Sequence, residues 1–130
     1  MVDTGKQLRE RSFAFALRIV KLSRYLDDRK QERVLSKQVL RCGTSSGANI
    51  RESVFAQSTP DFISKLSIAL KEASETQYWL ELLAASKLLT EKQFSSLKED
   101  INWLVGTLVN AIKSNKRKLK SGKGLVAAQI

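Results

Sequence analysis

The sequence predicts an all-α fold, an antiparallel up-down-up-down four-helix bundle, on three observations. One proline and six glycines interrupt 130 residues. The apolar residues recur at three- and four-residue steps with no sustained period-two alternation. Four helix starts are legible, and the connections between the resulting helices are short, which makes sequential neighbours antiparallel. A chain of this length buries roughly two-thirds of the surface its unfolded form exposes, so a single core is expected. The domain is placed at residues 1–117, followed by a basic, partly disordered tail over 118–130.

Three of the starts read as capping boxes, an N-cap side chain answered by Gln three residues on: Thr4 with Gln7, Asp28 with Gln31, and Thr90 with Gln93. At the fourth, Thr59 precedes Pro60, whose fixed φ suits a first helical position, and Asp61 favours the positive end of the helix dipole. The helices are predicted over about residues 5–26, 29–56, 60–88 and 91–117. The first places Leu8, Phe15, Ile19, Leu22 and Leu26 on a core face. A second stripe, Phe13, Leu17 and Val20, lies well over 90° around the same helix and needs another partner, either a second copy of the chain or a neighbouring helix that wraps far enough. The fourth helix repeats this: Phe94, Leu97, Ile101, Leu104 and Leu108 form its core face, and Trp103 lies opposite. Phe13, Leu17, Val20 and Trp103 are the candidate subunit-interface residues.

The second helix carries a polar row, Gln38, Arg41, Ser45, Asn49 and Glu52, beside a core row of Leu35, Val39, Cys42, Ser46 and Ile50. The third answers with Glu72 and Glu75 next to Trp79. Carboxylates facing an arginine, with amides and hydroxyls between, are expected to form a buried polar network that sets the register of the bundle. Gly43 and Gly47 either let another helix approach closely or mark a bend.

Charge bounds the function. Against 13 acids stand 23 Lys and Arg, a net +10, divided as +7 over residues 1–51, −3 over 52–112, and six cations without an acid from Lys113 onward. Such an excess points to polyanionic partners. The expected phosphate contacts are Arg11, Arg18, Lys21, Arg29, Lys30 and Arg33 from the first two helices, and Lys113, Lys116, Arg117, Lys118, Lys120 and Lys123 from the tail. The chain has no histidine, which removes the usual general base and the commonest metal ligand. Glu52, Glu72 and Glu75 resemble the carboxylates of di-iron bundles, but those also need histidine. No catalytic residue, metal or cofactor is therefore expected. Cys42 stands alone, on the core face and with no base near it in sequence, which fits packing and a reducing cytoplasm. The first ten residues are polar and no run of about 18 apolar residues occurs, so neither export nor a membrane partner is expected.

The stretch Ser36-Lys-Gln-Val-Leu-Arg-Cys-Gly-Thr-Ser-Ser-Gly-Ala-Asn-Ile-Arg-Glu-Ser53, with Asp61-Phe-Ile63, Leu66, Ile68-Ala69 and Lys71-Glu-Ala-Ser-Glu-Thr-Gln-Tyr-Trp-Leu80, resembles the signature of a bacterial four-helix-bundle family. That family comprises proteins encoded in intervening sequences of large-subunit ribosomal RNA genes, and the likeness spans roughly residues 8–112. Where its pattern commonly has proline this chain has Gly47, and where it has glycine this chain has Ser53, differences that bear on how the second helix bends or ends. The resemblance implies a ring-like homo-oligomer, a pentamer, without established catalytic activity. Some relatives are similar to accessory proteins of the reverse transcriptases of diversity-generating retroelements. Two functions follow as expectations: a non-catalytic oligomer binding RNA or DNA mainly through phosphates, or a protein-interaction scaffold serving a reverse transcriptase or other nucleic-acid enzyme.

Overall fold

A computed structural model describes residues 3–122 and shows four α-helices, with no strand among them. They are α1 (Thr4–Asp28), α2 (Val34–Ser53), α3 (Thr59–Ala85) and α4 (Glu91–Lys120).

The caps explain where each helix starts, and three differ from expectation. Asp3, rather than Thr4, caps α1, its carboxylate accepting from the Lys6 N–H at 3.0 Å; an acid there also meets the positive end of the helix. Asp28 and Gln31 do not open α2. Gln31 takes a left-handed φ of 55°, its side-chain amide donates to the Asp28 carbonyl at 3.1 Å, and the Glu32 N–H returns to the Leu26 carbonyl, so this pair closes α1. Glu32 serves α2 instead, its carboxylate accepting from Val34 and Leu35 N–H at 3.2 and 3.1 Å. Ser58 caps α3 by accepting from Asp61 N–H, while the Asp61 carboxylate accepts from Gln57 N–H, which leaves Thr59 and Pro60 in the first turn. Thr90 and Gln93 form the capping box that sequence predicts.

Every residue assigned to the α1 core face is buried, as are Leu97, Ile101, Leu104 and Leu108 of α4 and Val39, Cys42, Ser46 and Ile50 of α2; Phe94 and Leu35 are half-buried. Small residues control the spacing of α1 and α2. A Cβ on Gly43 would lie 2.8 Å from both γ-carbons of Ile19, and one on Gly47 would lie 3.3 Å from the Ser12 carbonyl oxygen. Between these choices, close approach is therefore what the glycines provide, and α2 runs through both as one helix. Further along, the Ser23 and Ser36 hydroxyls meet at 2.7 Å in the interior. Across α2 and α3 the Ser46 hydroxyl donates to the Ala69 carbonyl at 3.1 Å. α1 and α2 thus meet in opposite sequence order, Ser12 with Gly47 and Ser23 with Ser36. The α1–α4 seam is the sparsest of the four.

Replacing Gly43 with alanine is expected to cost about 1–2 kcal/mol, because a clash with the fully buried Ile19 outweighs a helix-propensity gain of about 1 kcal/mol. Gly106 of α4 has no atom within 4 Å of an added Cβ, so Gly106→Ala is expected to raise stability by about 0.5–1 kcal/mol. Denaturant unfolding midpoints of the two variants check this, and a Gly43→Ala protein as stable as Gly106→Ala would contradict the close-approach reading.

Candidate nucleic-acid interface

The basic segment after Ile112 is largely helical. α4 continues three residues past the expected end, through Lys120, so Lys113, Lys116, Arg117 and Lys120 fall at three- and four-residue steps on one side of two exposed turns. Lys118 is also exposed on these turns; Lys123 lies outside the described residues. Cations in the last turn of a helix are favourable in their own right, because they meet the negative end of its dipole.

The other predicted cations divide by what holds them. Arg29, Lys30 and Arg33 are exposed around the α1–α2 turn, with Arg33 donating to the Gln31 side chain at 3.2 Å and the Lys30 ammonium 5.9 Å from the Tyr25 ring. Lys21 is exposed. Two others have partners across the α1–α4 seam, Arg18 half-buried and Arg11 exposed. Arg18 donates to Asp100 at 2.6 Å and to the hydroxyl and carbonyl of Ser96, and Arg11 lies 3.8 Å from the centre of the Trp103 ring. Both clasp α1 to α4 across the sparse seam, between residues 78 to 92 positions apart whose pairing sequence spacing does not reveal.

Phe13 and Leu17 are 54% and 51% exposed, Val20 is half-buried, and Trp103 is half-buried beneath Arg11 and packed on the core. Trp103 is thus covered, at least on one face, within its own chain. Sequence reading missed Phe55, which is 82% exposed in the α2–α3 turn, along with Ile68 and Tyr78 on α3. It also missed Arg9 and Arg51, which flank a groove of about 300 Å³ between α1 and α2, with Phe13, Ala16, Gly47 and Ala48 among its lining. The signal for this groove was Gly47, which was read for helix approach or a bend.

The expected buried network is instead a partly exposed cluster at the α2–α3 seam. Arg41 donates to Glu75, to Glu72 at 3.2 Å and to Gln38 at 3.4 Å, yet its side chain is 52% exposed. Past Arg41 the row has other partners: the Asn49 amide donates to the carbonyl and hydroxyl of Ser45, both residues half-buried, and Glu52 is exposed in a separate pocket beside Phe55 and Lys65. Among the described residues no group of three or more Cys, Asp or Glu side chains gathers that would hold a metal ion. The Glu75 carboxyl is held below its ordinary value by the Trp79 indole N–H, which donates to it at 3.0 Å, and further by Arg41 and Lys71 against partial burial. Burial pushes the Cys42 thiol up, away from the reactive thiolate. Within the described residues no helix is long and apolar enough to cross a membrane.

A carboxylate with a lowered pKa keeps its partners above that pKa and loses them as pH falls through it. In a Trp103→Phe background, Trp79 fluorescence is expected to change in a step below pH 4.5, the ordinary value for such a carboxyl. The step disappears in Glu75→Gln and moves to higher pH in Arg41→Ala. A step at or above 4.5 in the parent would contradict the arrangement.

Comparison with known proteins follows the same lines. Residues 6–110 match the model of the family described as 23S rRNA-intervening sequence protein. The fold is similar to the crystal structure of a protein of unknown function from the S23 ribosomal protein family of Bacteroides thetaiotaomicron, with a TM-score of 0.84 and 48% identity, covering 85% of this chain and 99% of that one. No curated protein matches the sequence. A match over most of the chain, on four helices that carry the signature segments in α2 and α3, places this protein in the 23S rRNA-intervening sequence protein family.

Proposed function

We propose that the protein is a non-catalytic, basic, homo-oligomeric bundle that binds nucleic acid mainly through phosphate contacts. The observation that carries this reading is the continuation of α4 past the expected end at 117, which adds Lys120 to Lys113, Lys116 and Arg117 in one helical row. A helix holds cations at fixed spacing and so reduces the ordering cost of binding a phosphate backbone. The net charge of +10 steers a polyanion to it. The family's link to ribosomal RNA makes RNA the first nucleic acid to test.

In this reading the helices run up-down-up-down, and copies close into a ring, a pentamer, in the cytoplasm. Leu17 is the exposed apolar residue of the second α1 stripe that does not line the α1–α2 groove, and another copy covers it together with Val20. Assembly repeats each weak phosphate site, and several sites engaging one polyanion bind far more tightly than one. A second reading, a scaffold or accessory subunit for a reverse transcriptase or other nucleic-acid enzyme, has its own support in the exposed Ile68 and Tyr78 of α3, apolar residues suited to a protein contact.

Affinity for RNA is expected to fall steeply with salt on a log–log scale, and a chain ending at Ile112 is expected to bind more weakly with a shallower slope. Absence of binding at about 50 mM salt, well inside the range where phosphate contacts dominate, would sink the reading. Leu17→Glu is expected to reduce the assembly to monomers that keep their helical circular dichroism. An unchanged mass in light scattering would refute the contact.

A further inference from the structure

We infer that the groove between α1 and α2 is a stacking site for an unpaired base of single-stranded RNA, with Phe13 as the platform and Arg9 and Arg51 as the phosphate contacts. This rests on the proposed nucleic-acid binding and adds to it the strand state that is bound and the place where bases are held.

The groove exists because the helices that form it come unusually close. Gly47 sits against the Ser12 backbone, and Ala16 and Ala48 add only methyl groups, so the floor between the two helices is low and apolar. Phe13 stands beside this floor, 54% exposed. A half-exposed phenyl ring beside an apolar depression leaves apolar surface in water that a stacked base covers. The Arg51 guanidinium lies 5.6 Å from the centre of that ring, and Arg9 lines the same groove. No acid lines it. Two guanidiniums flanking an aromatic, over a floor with room to spare, are complementary to a nucleotide: the base lies on the ring and the phosphates on either side reach the cations. An anionic aliphatic ligand would use the cations but leave the ring face unused. A duplex keeps its bases stacked within the helix and offers the groove only phosphates.

The groove also lies toward the basic end of the molecule. Arg11 meets Trp103 and Arg18 meets Ser96 and Asp100, so moving toward the start of α1 is moving toward the end of α4, where Lys113 to Lys120 are carried. A strand that engages this end by its phosphates therefore has a base-stacking site within reach along the bundle. Stacking on one ring reads no hydrogen-bond pattern, so the site discriminates unpaired from paired bases rather than one sequence from another.

The test compares full-length protein and its Phe13→Ala, Phe13→Leu and Phe13→Tyr variants, binding a labelled mixed-sequence single-stranded RNA of about 12 nucleotides and the blunt RNA duplex of the same sequence. Phe13 is exposed, so none of these changes is expected to unfold the bundle, and circular dichroism and light scattering monitor fold and assembly. The inference expects Phe13→Ala and Phe13→Leu to weaken single-strand binding on the order of tenfold with an unchanged salt slope, Phe13→Tyr to keep it, and duplex binding to stay within about twofold throughout. Arg51→Ala is expected to lower the salt slope by about one phosphate contact. If the parent binds RNA but Phe13→Ala loses nothing, or loses equally for single strand and duplex, the stacking site is wrong and the phosphate reading stands. If Phe13→Ala changes the size of the assembly, the groove seats another copy of the chain and the inference falls. If the parent binds neither RNA, both readings fall together.

Discussion

Because Gly43 has no side chain, α2 packs its backbone directly onto Ile19 of α1, at a separation where a single methyl would stand 2.8 Å from two carbons of that residue. Much of the bundle's shape follows from this contact. It brings Ser23 and Ser36 close enough to share a hydrogen bond in the interior, and it brings Gly47 down onto the Ser12 backbone. On its other side α2 is again met by small residues, with Ala69 and Ala73 of α3 fully buried and the Ser46 hydroxyl bonded to the Ala69 carbonyl. α2 is therefore the tightly held stave of the bundle. The α1–α4 seam is the opposite: it is closed by long side chains, Arg18 reaching Ser96 and Asp100 and Arg11 lying over Trp103. A packed interior tolerates no extra methyl at the tight seam, whereas the wide one is spanned by groups that can adjust.

Tight and wide seams place the charges as well. Drawing α1 and α2 together leaves a shallow apolar depression on their outer side, with Arg9 and Arg51 at its margins. The wide seam neutralises Arg18 with Asp100, while Arg11 lies over Trp103 and stays exposed. Most of the other exposed cations that sequence offers for phosphate contacts stand at the α1–α2 turn and on the last two turns of α4. The surface thus keeps its basic character chiefly where helices end, and the α2–α3 seam is neutralised locally by Arg41 with Glu72 and Glu75.

The helices and their core faces were legible in the sequence because a 3.6-residue period is a strong signal when few breakers interrupt it: Leu8, Phe15, Ile19, Leu22 and Leu26 are all buried. Boundaries were less so. Asp28 and Gln31 have the residue types of a helix start, yet Gln31 in a left-handed conformation makes them a helix end, a distinction that backbone geometry decides and residue identity does not. The polar row of α2 was legible as a row but not as to its burial, because half a helical turn separates a network at the seam from one in the core. Arg41 meets both glutamates, but at a half-exposed seam, and Glu52 was assigned to company it does not keep. The candidate site was the least legible part. Arg18 and Asp100, or Phe13 and Arg51, come together only through the packing of whole helices, and no local spacing encodes those meetings.

Photocrosslinking of 4-thiouridine-substituted single-stranded RNA to the full-length protein, followed by peptide mass spectrometry, tests the central claim most directly, since it maps where the nucleic acid lies without altering any side chain. The account predicts crosslinks in two places, the α1 segment around Phe13 and the end of α4 from Lys113 to Lys120. Crosslinks confined to the α3 face of Ile68 and Tyr78, or none above the level of a neutral control protein, would contradict it.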